Sequence, residues 1–197
     1  MPDVRTTLAD AETVPEAPPS PTHVATRRED YRPPDWLVPE IALKFTLGIE
    51  KTRVQAMLAV ERNPDASQHG APLLLNGDEL EPLGVWVDGA LSDNWTIKGG
   101  DLLIPLEGGA HEVAIETEIN PSANSKLAGL YASGDMLCTQ CEAEGFRRIT
   151  FFPDRPDVLS KYRVRMEGDV DAFPVLLSNG NCVARGEAPD GRHWAEW

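Results

Sequence analysis

The feature that most constrains the fold is an alternation of apolar and polar residues with a period of two, which recurs along most of the chain. Its clearest run is 112–119, where four apolar or β-branched residues alternate with three glutamates. A strand that places three carboxylates on one face must turn that face to water, so we expect a half-exposed antiparallel sheet here. The same alternation predicts strands within 53–61, 83–87 and 161–167.

Turn-forming clusters separate these runs. They are Asp88-Gly89, Gly99-Gly100, Ser178–Asn181 and Asp190-Gly191. Gly99-Gly100 predicts a β-hairpin between 95–98 and 101–104, and Ser178–Asn181 predicts another between strands at 175–177 and 183–185. Asp190-Gly191 is expected to make a further turn. No ten-residue window carries a convincing helical stripe of apolar residues. The sequence therefore predicts an all-β fold, a twisted antiparallel β-sandwich.

The first 28 residues follow neither the strand nor the helix period and are rich in Pro, Ala, Thr and acidic residues. A segment of this composition cannot bury enough apolar surface to offset the entropy of ordering. We therefore expect residues 1–28 to be a flexible leader and residues 29–197 to form the folded domain. The leader has no apolar core region, so we do not expect a secretory signal.

Charge and hydropathy argue against two classes of partner. The formal net charge of -14 is unfavourable for binding to nucleic acid, whose phosphates require clustered Lys and Arg. No apolar run approaches the roughly 18 residues needed to span a membrane. Three cysteines, an odd number, do not make a disulfide framework, so we expect a reducing, cytoplasmic location.

The segment Met136–Asp157 interrupts the alternation and is where we expect a site. It contains Cys138 and Cys141 in C-x-x-C spacing, but no βαβ pattern surrounds them as in a redox motif. With Cys182 the set is still one ligand short of a structural zinc site, unless His193 joins it. Two small packed thiols are favoured, and a thiol or zinc site remains the alternative. No H-E-x-x-H, G-x-S-x-G or phosphate loop occurs, so no catalytic residue and no metal ligand is assigned.

The other candidates in this segment are Gln140 and Glu142. Residues two apart point the same way on an extended backbone, so an amide and a carboxylate would lie side by side. Such a pair can bind a cationic amine, since the carboxylate supplies charge and the amide oxygen a second acceptor. The alternative is a solvated ion pair between Glu142 and Arg147 or Arg148.

Several unusual sequence words stand in order between Glu29 and Trp197. They are 30–34 (DYRPP), 129–134 (GLYASG), 140–150 (QCEAEGFRRIT), 153–159 (PDRPDVL), 177–181 (LSNGN) and 191–194 (GRHW). Together they resemble the N-terminal domain of the bacterial aminopeptidase N family, zinc-dependent alanyl aminopeptidases of the gluzincin type. The resemblance implies a saddle-shaped all-β unit that precedes a thermolysin-like catalytic domain. It also implies that Glu142 holds the α-ammonium of a peptide substrate on the S1 side of the active site, assisted by Gln140.

The chain departs from the family pattern in what it lacks. The G-A-M-E-N loop, H-E-x-x-H and the oxyanion-stabilising Tyr do not occur in it. The resemblance then implies an N-terminal domain alone, inactive by itself, with zinc in the full-length enzyme and the missing catalytic domain as partner. Where that partner would dock, near Met136–Phe152, we expect an exposed apolar patch. The alternative is a stand-alone β-sandwich that binds a peptide or another ligand without catalysis.

Overall fold

A computed structural model of the protein describes residues 27–66 and 70–197. The chain divides into two units, residues 1–31 and residues 32–197. The described part of the first unit holds one short 3-10 turn, Arg28–Asp30. Residues 1–26, and with them most of the predicted leader, lie outside the described residues.

The regular secondary structure of the second unit consists almost entirely of strands. They are β1 (Trp36–Thr46), β2 (Thr52–Arg62), β3 (Leu73–Leu75), β4 (Pro82–Val87), β5 (Ala90–Leu91), β6 (Thr96–Lys98), β7 (Asp101–Ile104), β8 (Ala110–Ile119), β9 (Gly129–Ser133), β10 (Met136–Gln140), β11 (Lys161–Asp169), β12 (Ala184–Ala188) and β13 (Arg192–Glu196). Two further 3-10 turns lie at Pro121–Ala123 and Phe146–Arg148. The prediction of an all-β fold is confirmed. Among the described residues, no helix is long and apolar enough to cross a membrane.

The strands form three sheets. The largest has eight strands in the order β12-β13-β11-β1-β2-β8-β4-β5, while β3-β7-β6 and β10-β9 form smaller sheets. The core lies between the inner face of the large sheet and the β3-β7-β6 sheet, and buried residues of both belong to one apolar cluster. Strand β2 shows why the fold forms, because its residues alternate strictly between buried and exposed over 52–61. The alternation predicted for this strand is confirmed.

One strand pair departs from the antiparallel arrangement. Strand β11 runs parallel to β1, with Lys161 opposite Glu40 and Glu167 opposite Thr46. The alternation at 161–167 predicts a strand and its two faces, but a period of two carries no information about direction. The large sheet is therefore mixed.

The hairpin predicted across Gly99-Gly100 is confirmed. Strands pair across Asp88-Gly89, Gly99-Gly100 and Asp190-Gly191. The hairpin predicted across Ser178–Asn181 is wrong, because residues 175–177 form no strand and β12 pairs with β13 instead. A bend does occur there, with Gly180 at a φ of 83°. The apolar residues before it are exposed rather than packed on a sheet.

Candidate functional site

The two predicted site residues lie where the β9–β10 ribbon ends. Gln140 is the last residue of β10 and lies opposite Gly129 in the register of the ribbon. The chain then leaves the strand, so the extended geometry assumed from the sequence does not continue to Glu142. Both residues are exposed.

The loop after β10 closes on itself. Gln140 Nε2 donates to the backbone oxygen of Glu142 at 2.8 Å, and the Gly145 amide donates to the Cys141 oxygen at 2.9 Å. The Glu142–Ala143 peptide bond is cis, and Glu144 has a φ of 66°. Gln140 thus uses its amide nitrogen to hold the loop, and its amide oxygen has no protein partner within residues 27–66 and 70–197.

Arg147 fixes the far side of this loop. Its backbone amide and its Nε both donate to Asp154 Oδ2 at 3.1 Å, and its Nη2 donates to the Asp154 backbone oxygen at 2.9 Å. Nη2 also lies 3.4 Å from Glu144 Oε1. Asp154 is held in turn by its own amide, which donates to Asn76 Oδ1 at 3.1 Å. The arginine is therefore committed to other partners than Glu142.

Arg148 forms ion pairs with a different pair of carboxylates, Asp78 and Glu79. Its Nη1 bonds Asp78, and its Nη2 lies 2.6 Å from Glu79 Oε2. Lys126 Nζ approaches the same Glu79 carboxylate at 2.8 Å. Hydrogen bonds from Lys126 and then Arg148 lower the pKa of Glu79 to about 2. The side chain of Arg148 is only 9% exposed, so this arginine is a structural anchor behind the loop.

Among the residues that the structure describes, Glu142 consequently has no cationic partner. The alternative in which it pairs with Arg147 or Arg148 is wrong, because both arginines bind other carboxylates. Within the described part of the chain, no positive side chain lies within ion-pair distance of the Glu142 carboxylate. An exposed carboxylate and an amide oxygen in one loop, both without a protein partner among the described residues, can accept an external ammonium group.

The cysteines show no sign of a shared site. All three are free, and Cys141 packs against the core, where burial and then the nearby Asp154 charge raise the pKa of its thiol. Cys138 is half-buried, whereas Cys182 is exposed. Of the two described histidines, His193 Nε2 contacts the Phe173 oxygen at 2.6 Å instead of a thiol. No group of three or more His, Cys, Asp or Glu side chains among the described residues could hold a metal ion.

The expected apolar patch near Met136–Phe152 is largely wrong. Met136 is 60% exposed, but Leu137 and Phe146 pack against the core and Ile149 is buried. The large apolar side chains with the greatest exposure lie elsewhere. They are Leu159, Leu177, Leu91, Val175 and Val183.

Sequence reasoning missed two groups that shape this region. One is the set of carboxylates that bind the two arginines: Asp154 binds Arg147, and Asp78 and Glu79 bind Arg148. The other is a cluster of three aromatic rings, in which Phe146 meets Phe152 at 5.2 Å and Tyr162 at 5.8 Å between ring centroids. Burial raises the pKa of Tyr162 to about 12, with a further contribution from the Asp154 charge. No local pattern signals these contacts.

Comparison with known proteins identifies the family of the chain. Residues 94–197 match the protein family described as "Peptidase M1 N-terminal domain". The chain belongs to this family. The matched region includes both Gln140 and Glu142, and the family resemblance read from the sequence words is confirmed.

Curated relatives of this peptidase M1 N-terminal domain are named aminopeptidase N. The chain is 45% identical over 176 residues to that of Escherichia coli and 46% identical over 178 residues to that of Caulobacter vibrioides. These alignments cover 88% and 89% of this chain but 20% of each relative. The chain thus spans about a fifth of the length of the relatives that it matches.

Solved structures show the same fold. The crystal structure of Legionella pneumophila aminopeptidase A in complex with aspartic acid has a TM-score of 0.80 and 26% identity, covering 87% of this chain and 20% of that one. An M1 zinc metallopeptidase from Deinococcus radiodurans, as its E323A mutant, has a TM-score of 0.68 over 83% of this chain and 38% of its own. At 14% identity the latter supports the fold alone.

Proposed function

We propose that the chain serves as the N-terminal β-domain of an aminopeptidase and binds the α-ammonium group of a peptide substrate. Glu142 supplies the carboxylate, and Gln140 assists with its amide oxygen. The observation that carries the proposal is the pairing pattern of the loop. Arg147 and Arg148 are bound to other carboxylates, so neither of them pairs with the exposed Glu142.

This arrangement favours the end of a peptide over its interior. An ammonium group next to the first peptide bond can form charge-assisted hydrogen bonds to Glu142, whereas an internal peptide offers no cation. Once the catalytic part of the enzyme covers the site, an internal peptide would leave the carboxylate desolvated and unpaired. The net charge of -14 also attracts cationic ligands.

The anchored loop keeps the carboxylate available. If Arg147 were free to turn, it could reach Glu142 and compete with the substrate ammonium. Asp154 prevents this by accepting two hydrogen bonds from Arg147. Binding then requires little reorganisation of the loop, which preserves affinity.

We further propose that the partner is a zinc-containing catalytic domain, as in the zinc metallopeptidases of this family. The described residues do not fit a zinc ion, because they contain no group of three or more suitable side chains. No step through zinc is therefore assigned to them. We propose residues 29–197 as the domain and the cytoplasm as its compartment, since all three cysteines are free.

The proposal can be tested on the chain itself by NMR. Alanine amide, with a free amine, and N-acetyl-alanine amide, without one, are titrated into ¹⁵N-labelled protein. We expect the amine alone to shift the resonances of Gln140 and Glu142, with weak affinity because an exposed ion pair contributes at most about 1 kcal/mol. Glu142→Gln should abolish the shifts. Glu144→Gln is the matched control, since Glu144 lies two residues away and contacts Arg147.

In the chain joined to its catalytic domain, Glu142→Gln should cost at least about 2 kcal/mol, or roughly 30-fold in kcat/KM for an alanyl anilide. The larger effect is expected because the closed pocket removes water from the ion pair. Equal shifts by both amides, or an unchanged kcat/KM, would show that Glu142 does not bind the amine.

A further inference from the structure

A shallow apolar trough crosses the outer face of the large sheet. The register places Ala42, Met57, Ala114 and Trp86 side by side on β1, β2, β8 and β4. Their neighbours on the same strands point into the core, so these four side chains point away from it. The depression that they line has a volume of about 390 Å³.

Small residues produce this shape. Ala114 keeps the floor low between Met57 and Trp86, and Ala42 keeps it low on the other side of Met57. The Trp86 ring lies against Gly84 of its own strand, where any added Cβ would collide with the ring. A bulky residue at position 84 would displace the indole, so the glycine keeps Trp86 as the wall of the trough.

Two cations stand at the β1 end of the trough. Lys44 follows Ala42 by two residues on the same face, and Arg165 lies directly opposite Lys44 on the parallel strand β11. Adjacent like charges are unfavourable unless something else neutralises them. Among residues 27–66 and 70–197, neither cation has a carboxylate partner within ion-pair distance.

The carboxylates nearby are already bound to other groups. Glu196, opposite Arg165, is bonded to Arg163 at 2.5 Å. Glu116 lies in the same row as Lys44, next to Gln55, and accepts from Arg53 and Gln55 at 2.9 and 3.2 Å. Arg165 instead stacks on Trp194, with its Cζ 3.8 Å from the ring centroid. Two unmatched cations beside an apolar trough point to an external anionic group, which these cations attract locally against the net charge of -14.

We propose that this face binds a short extended peptide segment with a carboxylate side chain and a large apolar side chain two residues apart. In an extended peptide such side chains lie on one side, about 7 Å apart. Lys44 and Ala42 have the same separation along β1, because they are also two residues apart in a strand. The carboxylate would then meet Lys44 and Arg165 while the apolar side chain enters the trough at Met57. This interaction goes beyond the proposed binding of an amine.

The experiment titrates the ¹⁵N-labelled chain with the peptide acetyl-Ser-Glu-Ser-Leu-Ser-amide. We expect saturable shifts at Lys44, Met57 and Ala114 and at the Trp86 indole, while Gln140 remains unchanged. Replacing Glu by Lys in the peptide should weaken binding at least about fivefold, since attraction becomes repulsion. The Glu peptide is acetylated and carries no ammonium group, so its binding is independent of amine binding at Glu142. For the Lys peptide, whose ε-ammonium can reach Glu142, only the trough resonances are compared.

Variants of the protein separate the two halves of the interaction. Lys44→Ala should weaken binding about two- to fivefold and reduce its dependence on salt. Lys161→Ala is the matched control, because Lys161 is also an exposed lysine but pairs with Glu40. Ala114→Leu should fill the trough and abolish binding. Met57→Thr changes an exposed strand residue and tests the same contact if Ala114→Leu fails to fold.

Three results would overturn the proposal. The first is equal binding of the Glu and Lys peptides. The second is an absence of shifts in the trough at millimolar peptide. The third is a concentration-dependent shift of the trough resonances without peptide, accompanied by dimer formation in sedimentation, which would identify a second copy of the chain as the occupant.

Discussion

Replacement of Asp154 by Ala tests how the loop that carries Glu142 is held. The Asp154 carboxylate accepts hydrogen bonds from the backbone amide and the Nε of Arg147, and both side chains are about four-fifths buried, at 17% and 21% exposed. The variant leaves one backbone donor and one guanidinium donor without this acceptor. Within 27–66 and 70–197, the Arg147 guanidinium then keeps Glu144 at 3.4 Å and the residue-154 carbonyl as its partners.

The cost follows from these lost contacts. A partly buried backbone donor without an acceptor costs about 1–3 kcal/mol, and a hydrogen bond to a charged group contributes about 1.5–3 kcal/mol. Some water reaches the site, so we expect a total loss of about 2–4 kcal/mol in the free energy of unfolding. With a urea m-value of about 2 kcal/mol per M, the unfolding midpoint would fall by roughly 1–2 M.

The assay is urea unfolding followed by far-UV circular dichroism, with Glu40→Ala as control. Glu40 also loses an ion pair in this variant, but its pair with Lys161 is 66% and 86% exposed, so we expect a change within about 0.5 kcal/mol. In the variant Asp154→Ala, the released Arg147 should also compete for Glu142 and weaken the shifts caused by alanine amide. If Asp154→Ala costs no more than Glu40→Ala, the loop is not held by this pair.

Two further predictions concern titratable groups. His111 contacts Asp88 Oδ2 at 2.8 Å and the Glu107 oxygen at 2.6 Å, and the hydrogen bond to Asp88 raises the pKa of His111. Its contribution to stability is thus fully present below the unfolded pKa of about 6.5 and is lost as pH rises through the folded value. In thermal or urea unfolding, His111→Gln should therefore destabilise the protein more at pH 6 than at pH 9, and an equal effect at both pH values would contradict this. Burial raises the pKa of the Cys141 thiol, so iodoacetamide should modify the exposed Cys182 well before Cys141. Mass spectrometry of partially labelled protein checks this, and labelling of both thiols at the same rate would contradict it.

The strands could be predicted because burial on one side of a sheet imposes the period-two pattern on the sequence. Strand β2 shows this, since each buried position is apolar or Thr52, whose Oγ donates to the Gly48 oxygen at 2.7 Å. The same pattern failed at 175–177, where Val175 is 69% exposed because no strand pairs with this segment. Alternation describes how a strand would pack, but it does not determine whether a partner strand is available.

The candidate site was less predictable than the fold. Gln140 and Glu142 could be selected from their chemistry and spacing and from the family resemblance. Whether Glu142 pairs with Arg148 depends, however, on the other partners of Arg148. These are Asp78 and Glu79, which lie 70 and 69 residues away in the sequence. A contact at that separation is set by the packing of the β-sandwich, and no local pattern encodes it.

Many charged side chains on a protein surface have no ion-pair partner, and exposed ion pairs contribute little to stability. An unpaired surface charge is therefore weak evidence for a binding site. The case for Glu142 is stronger because a competing cation in the same loop, Arg147, is held away from it by Asp154. The case for Lys44 has the same form with the charges reversed, since the Glu116 carboxylate on the same face is bound to Arg53. In both places the neighbouring group of opposite charge forms an ion pair with another side chain of the protein. The remaining charge is left exposed. Binding at either site should therefore weaken as salt is added, because at physiological ionic strength the Debye length is only about 8–10 Å and the exposed charges are screened. The internal ion pairs are partly buried and should be less sensitive to salt.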